Sequence, residues 1–581
     1  MFNIKINDIP YSVPKGSTIL EAARYAGINI PTLCYMKDLN EIGACRVCVV
    51  EVKGARSLMA ACVHPVSEGM EIYTNTPKVI DSRKTTLQLL LSVHDRKCLS
   101  CVKSGSCEFQ TLCHDLGVED EGKYDGAVPE ATYDDSSVHM IRDNSKCVLC
   151  RRCVAACEAQ HTAVIGPNGR GFDTHIACAF EQDLADVACI SCGQCIVNCP
   201  TGALVEKDDT AEVMKAIADP EKFVVVQTAP AIRATLGECF DMPIGTNVKG
   251  KMVAALRRIG FDRVFDTDFG ADLTILEEGT EFIHRVKEGG VLPMITSCSP
   301  GWIKYIEYFY PDLLPHLSTC KSPQSMQGAM TKTWFAEKEG IDPKNIVSVS
   351  IMPCTAKKYE IQRDNMNGAG EDLMDNDYSL TTRELGRLIK KCGIDFVSLP
   401  DEEFDPCMDV TTGAAAIFGA TGGVMEAALR TVADILTGED LEQIDYTEVR
   451  GMDEIKEATY DVAGMKVNVA VASGMQNARI ILDRIRAGEA NYQFVEIMGC
   501  PGGCINGGGQ PTQPAVVRSF TDFREKRAEA LYEEDRNLPL RKSHKSPLVK
   551  QAYEEFLGEP GSHKAHELLH TTYVAREKYK K

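Results

Sequence analysis

Three apolar runs in this chain end in cysteine, and that shared ending constrains the fold more than any other feature. GGVLPMITSC stops at Cys298, NIVSVSIMPC at Cys354 and YQFVEIMGC at Cys500, after which PGGC places Cys504 in a C-x3-C spacing. Short apolar runs bounded by glycine or proline read as strands covered on both faces, as in parallel sheets. Ligands of such sheets sit beyond the carboxyl ends of the strands, so three cysteine-bearing ends can converge on one bound group. Six glycines between Gly499 and Gly509 let the backbone fold tightly around whatever the thiolates hold. Two further strands, FVVVQ and VNVAVA, end in TAP and SGM and are expected to wall the same pocket. One cysteine at such a place reads equally well as a buried hydrophobe; the spaced set reads as a cofactor pocket.

The chain has 25 cysteines in 581 residues. An odd count, with an opening MFNIKINDIP that lacks the order of a signal peptide, favours thiolate metal ligands over disulfides. Cys147, Cys150, Cys153 and Cys157, then Cys189, Cys192, Cys195 and Cys199 before Pro200, repeat C-x2-C-x2-C-x3-C. This is the bacterial ferredoxin pattern, in which the fourth cysteine of each run ligates the other cluster. One [4Fe–4S] cluster is therefore expected on Cys147, Cys150, Cys153 and Cys199, and a second on Cys157, Cys189, Cys192 and Cys195.

Upstream, residues 1–78 read as a small, mostly-β domain: a hairpin from FNIKI to Val13, Ser17 capping the helix TILEAARYAG, and strands VCVVEV and MEIYTN. Its Cys34, Cys45, Cys48 and Cys62 suit a [2Fe–2S] centre, with zinc the rival metal. An amphipathic helix, SRKTTLQLLLSVHDRKC, with Leu87, Leu90 and Leu91 on one face, leads into His94-x3-Cys98-x2-Cys101-x5-Cys107. Three thiolates and an imidazole suit zinc or a [4Fe–4S] cluster, and the neighbouring motifs favour iron. The plain alternative makes His94 a surface histidine. The acidic segment GVEDEGKYDGAVPEATYDDSS connects to the ferredoxin runs.

From 211 to 520 strands alternate with helices, which predicts a large α/β region. GATGGVMEAALR lacks GxGxxG and a following acidic partner, so its glycines read as close packing or pocket lining. Residues 521–581 read as a charged helical strap with REKYKK as a solvated end. The expected fold is multidomain: a β-grasp ferredoxin-like domain (1–78), a [4Fe–4S] segment with one His and three Cys ligands (79–118), a bacterial-ferredoxin-like α+β domain (138–210), a large α/β catalytic domain (211–520) and the strap (521–581). Cys113, Cys178, Cys239, Cys320, Cys392 and Cys407 have no ligand spacing and are expected in the core. The net charge of −20 argues against nucleic acid, and no run of 18 apolar residues suggests a membrane span. A soluble, cytoplasmic chain is expected.

TSCSPGW, MPCTAKKYE and EIMGCPGGCINGGGQP resemble the three signature motifs of the [FeFe]-hydrogenases, and the order of cluster motifs ahead of them is similar over essentially the whole chain. The layout is most similar to catalytic subunits of multimeric NAD(P)-linked hydrogenases, some of them electron-bifurcating, and it also occurs in single-chain ferredoxin-dependent enzymes. The resemblance implies an H-cluster, a [4Fe–4S] cubane joined through one cysteine to a di-iron unit with CO, cyanide and a bridging azadithiolate. It implies Cys354, Cys500 and Cys504 as cubane ligands, with Cys504 as the bridge. Lys357, Met352, Met498, Pro230 and Gln324 would surround the di-iron unit, Lys357 holding a cyanide unless it is a surface lysine. Where the commoner motif has adjacent cysteines, this chain has Cys298 and Ser299. Strict carry-over makes Cys298 a proton relay and Ser299 the occupant of a ligand seat, whereas the cysteine count makes Cys298 the fourth ligand. Glu278, Glu281 and Ser318 match the family's proton relay; on spacing alone, Glu278 and Glu281 read as a solvated helix face. The implied activity interconverts H2 with protons and electrons, passing electrons through one [2Fe–2S] and three accessory [4Fe–4S] clusters to ferredoxin or to flavin-bearing NAD(P)-binding subunits. The rival reading is a hydrogen sensor or electron-transfer scaffold without turnover.

Overall fold

In the computed structural model, which describes residues 1–119, 122–462 and 464–579, two four-stranded sheets bring their strand ends to one place. Asp120 and Glu121 of the acidic connection, and Lys580 and Lys581 of the expected solvated end, lie outside the described residues. The first sheet runs Arg263–Asp266, Phe223–Thr228, Ile346–Met352, Tyr378–Thr381, all parallel. The second runs Met294–Ile295, Phe494–Met498, Met465–Ser473 in parallel, with Ile455–Val462 antiparallel at its edge.

The apolar runs form strands because each face has a partner. Val224 and Val226 join a core with the helix Lys249–Ile259, while Val225 faces Phe265, Phe269 and Trp334 on the other side. Full burial of each such valine contributes roughly 1.5–3 kcal/mol. The 21-residue helix Asp268–Glu288 lies between the two sheets. Its Phe269, Leu273 and Leu276 pack toward the first, and its Ala271, Ile275 and Phe282 toward the second. A helix covered nearly all round must also bury its polar residues, and Glu277 and Glu278 are 1% and 2% exposed.

At the N-terminus, five strands pair in the order Ile9–Val13, Phe2–Ile6, Glu71–Tyr73, Val49–Val52, Met59–Ala60 around the helix Ile19–Tyr25. Asn7 and Asp8 form the hairpin turn at positive φ, 51° and 65°, as a right-twisted two-residue loop demands. The helix is capped by Thr18 and not by Ser17: the Thr18 hydroxyl accepts the Glu21 N–H and the Glu21 carboxylate returns the bond, a capping box one residue beyond the expected position. The next helix is Pro77–Leu91, earlier than its leucines suggest, because Thr76 caps it and Pro77 starts it. It ends before His94, and Leu87 shares a core with Leu33, Phe109 and Val148, so the His94 segment is packed between its neighbours.

The strap forms the helices Phe523–Asn537, Pro547–Ala552 and His563–Leu569. Buried ion pairs tie it down: Arg233 with Glu534 at 2.9 Å, and Arg430 with Asp535 at 2.8 Å. Gly422 and Gly423 are close-packing residues, since a Cβ would come within 1.8 Å of the Val449 carbonyl and 1.9 Å of that of Ile417. Among the six unassigned cysteines, Cys178 and Cys320 are buried, but Cys392 is exposed, because it follows the helix Thr382–Lys391 at its solvent end.

Candidate active site

The strand ends line a partly open cavity of about 80 Å³. Cys354 comes from the first sheet; Cys298, Ser299, Cys500 and Cys504 come from the second, and Pro230, Gln324, Met352, Lys357 and Met498 complete ten residues on one wall-to-wall lining. Ala229 and Pro230 follow the strand Phe223–Thr228 as expected, whereas the SGM segment is absent from the lining. Its Ser473 instead accepts the Gly502 N–H at 3.1 Å and supports the glycine loop from behind.

The donor set fits an iron–sulfur group. Burial pushes the Cys354 and Cys500 thiols up and the Cys504 thiol up to about 12, so these become thiolates at neutral pH only against metal charge. The loop glycines are needed by close approach: a Cβ on Gly507 would lie 2.1 Å from the Pro353 carbonyl, and one on Gly508 would lie 2.1 Å from that of Cys192. The second contact seats the segment 189–199 on the cavity, helped by Thr355 Oγ1 donating to the Ser191 carbonyl at 2.8 Å and Gln194 Nε2 to the Asn506 carbonyl at 3.0 Å.

Lys357 is 9% exposed, not a surface lysine. Its ammonium donates to Glu360 Oε2 and Ser322 Oγ at 2.7 Å and to the Cys298 carbonyl at 3.3 Å. Gln324 Nε2 donates to the same Glu360 oxygen at 3.0 Å, and its Oε1 accepts from Ser350 and Ser379. Ser322 and Glu360 thus fix two lining residues; Glu360 closes the MPCTAKKYE segment, whereas no motif marks Ser322. Ser299 Oγ accepts the Gly499 N–H at 3.1 Å, tying the start of the helix Pro300–Phe309 to the loop.

Glu278 and Glu281 do not form a solvated face. Glu278 is buried and its carboxyl is pushed up to about 8, mainly by desolvation; its Oε1 has no partner. Its charge in turn raises the Cys298 thiol, which burial already holds high. Ser318 Oγ donates to Glu281 Oε2 at 3.1 Å, and Arg285 pairs with Glu281 Oε1 at 2.5 Å near the surface. The same Glu281 oxygen accepts Thr319 Oγ1 at 3.1 Å, and Thr319 lies 2.7 Å from His570 Nδ1 on the strap.

Two smaller cavities lie among the two cysteine runs of residues 147–199. One is lined by Cys147, Cys150, Cys153 and Cys199, the other by Cys157, Cys189, Cys192 and Cys195. Leu149, Arg151, Ser191 and Gly193 adopt positive φ between these cysteines, curling N–H groups toward sulfur, as Leu149 N–H does to Cys147 Sγ at 3.4 Å. Asn40 Nδ2 bridges the carbonyls of Cys34 and Cys150 at 2.8 and 3.0 Å. In the N-terminal region Cys48 and Cys62 sulfurs lie 3.3 Å apart, and Cys34 and Cys45 each donate a backbone N–H to the other's sulfur. A Cβ on Gly202 would lie 2.6 Å from Cys101 Sγ, so the His94 segment also abuts the Cys199 side. His94 is mostly buried, edge-on to Phe109 at 5.2 Å, with Nδ1 unpartnered.

Residues 222–508 match the iron only hydrogenase large subunit, C-terminal domain, and residues 521–576 the iron hydrogenase small subunit. Residues 1–77 match a 2Fe-2S iron-sulfur cluster binding domain, and 83–121 the NADH-ubiquinone oxidoreductase-G iron-sulfur binding region. The chain is 49% identical to the NADP-reducing hydrogenase subunit HndD of Solidesulfovibrio fructosivorans over 100% of both chains. It is 41% identical to iron hydrogenase 1 of Clostridium pasteurianum, over 99% of this chain and 100% of that one. A solved variant of [FeFe]-hydrogenase HydA1 from Chlamydomonas reinhardtii is 43% identical and superposes with a TM-score of 0.57, covering 64% of this chain and 100% of its own. A cysteine-lined cavity at the ends of two sheets, cluster-binding regions ahead of it and likeness over its full length make this chain a member of the iron-only, or [FeFe], hydrogenase family.

Proposed function

We propose a division of labour for this iron-only hydrogenase, which interconverts H2 with protons and electrons: the cavity does the chemistry, the buried carboxylates move protons and the ferredoxin region moves electrons. The observation that carries it is the single cavity lined by Cys298, Cys354, Cys500, Cys504 and Lys357. Cys354, Cys500 and Cys504 would hold the H-cluster cubane, with Cys504 as the shared thiolate and the Ser299 hydroxyl, which accepts the Gly499 N–H, in the remaining ligand seat. Pro230, Gln324, Met352 and Met498 give the di-iron unit a mostly apolar wall, and Lys357 places a cation there. When bound, the H-cluster supplies the redox chemistry of H2.

Protons travel by way of Cys298, Glu278, Ser318 and Glu281 to the partly exposed Arg285. A carboxyl poised at about 8 can both hold and release a proton near neutral pH, and Ser318 abuts both carboxylates. Cys157, Cys189, Cys192 and Cys195 would hold one electron-carrying cluster and Cys147, Cys150, Cys153 and Cys199 a second. Cys34, Cys45, Cys48 and Cys62 would hold a [2Fe–2S] centre, joined to the second site by Asn40, and His94, Cys98, Cys101 and Cys107 a further [4Fe–4S] cluster, adjoining it at Gly202. Cys34 and Cys45, joined by reciprocal N–H contacts to sulfur, and the close sulfurs of Cys48 and Cys62 would hold the [2Fe–2S] centre as two pairs. In this reading residues 1–78 are a β-grasp ferredoxin domain, 138–210 a two-cluster ferredoxin domain, and 521–581 a strap.

Full-length likeness to an NADP-reducing subunit supports a cytoplasmic chain that hands electrons to ferredoxin or to flavin-bearing NAD(P)-binding subunits, with bifurcation as their joint activity. Among the described residues no helix is long and apolar enough to cross a membrane. Dye-linked H2 oxidation by the anaerobically matured chain, with iron counted on the same sample, tests the assignment. Turnover is expected; a fully iron-loaded chain without it would favour the sensor or scaffold.

A further inference from the structure

Cys320 and His570 sit opposite each other in an isolated antiparallel bridge, flanked by Lys321 N–H to the Leu569 carbonyl and Thr571 N–H to the Thr319 carbonyl, both 2.8 Å. Backbone pairing therefore holds a strap imidazole beside a buried thiol, next to Glu281. One donor atom from each of Glu281, Cys320 and His570 lies within 4.8 Å of the others. His570 Nε2 faces Glu277 Oε2 at 3.1 Å, and that carboxylate also accepts Tyr553 O–H and Gly561 N–H. This acceptor places the ring proton on Nε2 and leaves the Nδ1 lone pair facing Thr319. A carboxylate behind the imidazole is the arrangement that orients histidines toward metals.

Thr319 Oγ1 lies 2.7 Å from that Nδ1 and 3.1 Å from Glu281 Oε2, both acceptors, yet it has one proton to give. A positive charge resolves the mismatch. A proton on Nδ1 would do so, and a divalent ion does so while also engaging Cys320. We propose that a zinc-class divalent ion binds between Glu281, Cys320 and His570, at the outer end of the proton path. Imidazole, thiolate and carboxylate are zinc's usual donors, and Cys320 releases its thiol proton to solvent on coordination. The carboxylates of Glu281 and Glu277 and the thiolate outweigh the one guanidinium of Arg285, which holds Glu281 Oε1; Oε2 lies 4.0 Å from Cys320 Sγ and also accepts Ser318 Oγ, Thr319 Oγ1 and the Thr319 N–H, contacts that the ion would share or displace. A surface cleft lined by Thr319, His566, His570 and Thr571 gives access. Because Oε2 is the oxygen that Ser318 contacts, the ion would block proton exit; this consequence rests on the relay proposed above.

Zinc K-edge absorption on the iron-loaded, anaerobic full chain with one equivalent of Zn2+ tests the site. The expected shell has one sulfur at about 2.3 Å with nitrogen and oxygen at roughly 2.0–2.2 Å, the sulfur disappearing in Cys320→Ala. Affinity should fall at least about 10-fold in Cys320→Ala and in His570→Gln, the scale seen when metal-site groups are lost. A sulfur-rich shell only, or equal binding by Cys320→Ala, overturns the site. In the wild type, bound zinc should slow dye-linked H2 oxidation about 10-fold or more, and Cys320→Ala should escape. A one-sulfur shell without slowing keeps the site and rejects the relay. Loss of turnover in Glu281→Gln, with no one-sulfur shell in the wild type, keeps the relay and rejects the site.

Discussion

The two-run cysteine region of residues 147–199 and the cavity between the two sheets both gather cysteines around buried space, but by opposite means. In the first, eight cysteines come from two runs, and the turns between them adopt positive φ locally. In the second, Cys298, Cys354 and Cys500 arrive from strand ends in two different sheets, held by the packing of the helix Asp268–Glu288 between them. In the first, three cysteines of each set come from one short run and only the fourth from the other; the second belongs to the whole two-sheet fold. Polar chemistry follows the same division, since Glu278, Lys357 and Glu360 are buried only because that packing buries them.

The sharpest way to break the contrast is to remove one ligand from each side. Cys504→Ala should reduce dye-linked turnover to background with only the cavity's iron lost, whereas Cys98→Ala should leave dye-linked turnover largely intact. Equal losses would mean that the surface cluster is not one of two parallel electron carriers. Next in size, Glu281→Gln should lower turnover by about 10²–10⁴-fold, the usual range for a proton-transfer group, with iron content unchanged; unchanged turnover would remove Glu281 from the relay.

A smaller effect is expected where the two regions touch. Gly508→Ala puts a Cβ 2.1 Å from the Cys192 carbonyl, a backbone atom with little freedom to yield. Overpacking of this kind costs roughly 1–3 kcal/mol, which a lowered midpoint in anaerobic thermal unfolding would register. Wild-type stability in that variant would mean that the segment 189–199 is not seated through this contact. Smallest is a pH slope. Glu278 is raised from an ordinary carboxylic value to about 8, so between those values the unfolded chain has lost a proton that the folded chain keeps. Stability from this group is full below the unfolded value and is lost as pH rises toward 8. Glu278→Gln should flatten that decline between pH 5 and about 8, and an unchanged slope would argue that Glu278 is already ionised in the fold.

Much of the cavity is legible in the sequence, because apolar runs that end in cysteine fix both the strand type and the end at which the thiol emerges. GCPGGCINGGGQP likewise foretells a tight loop, and the backbone contacts of Gly507 and Gly508 give the reason. The role of SGM was not legible: a strand end can face a cavity or support a loop behind it, and only the contact between Ser473 and Gly502 decides. Nor was the capping of the first helix, where Ser17 and Thr18 are both competent and the reach of Glu21 selects Thr18.

By itself the sequence determined which cysteines belong together wherever the grouping is set by spacings of a few residues, because C-x2-C turns are local geometry. It determined the α/β class of the catalytic region as well, since hydrophobic period is written residue by residue. Tertiary structure alone decided that Glu278 is buried while the partly exposed Arg285 reaches Glu281, and that Lys357 shares Glu360 with Gln324. It also brought the strap's His570 to Cys320, 250 positions away. Such pairings depend on how helices and sheets stack, and burial then sets the charge and partners of each polar group, which no local pattern encodes.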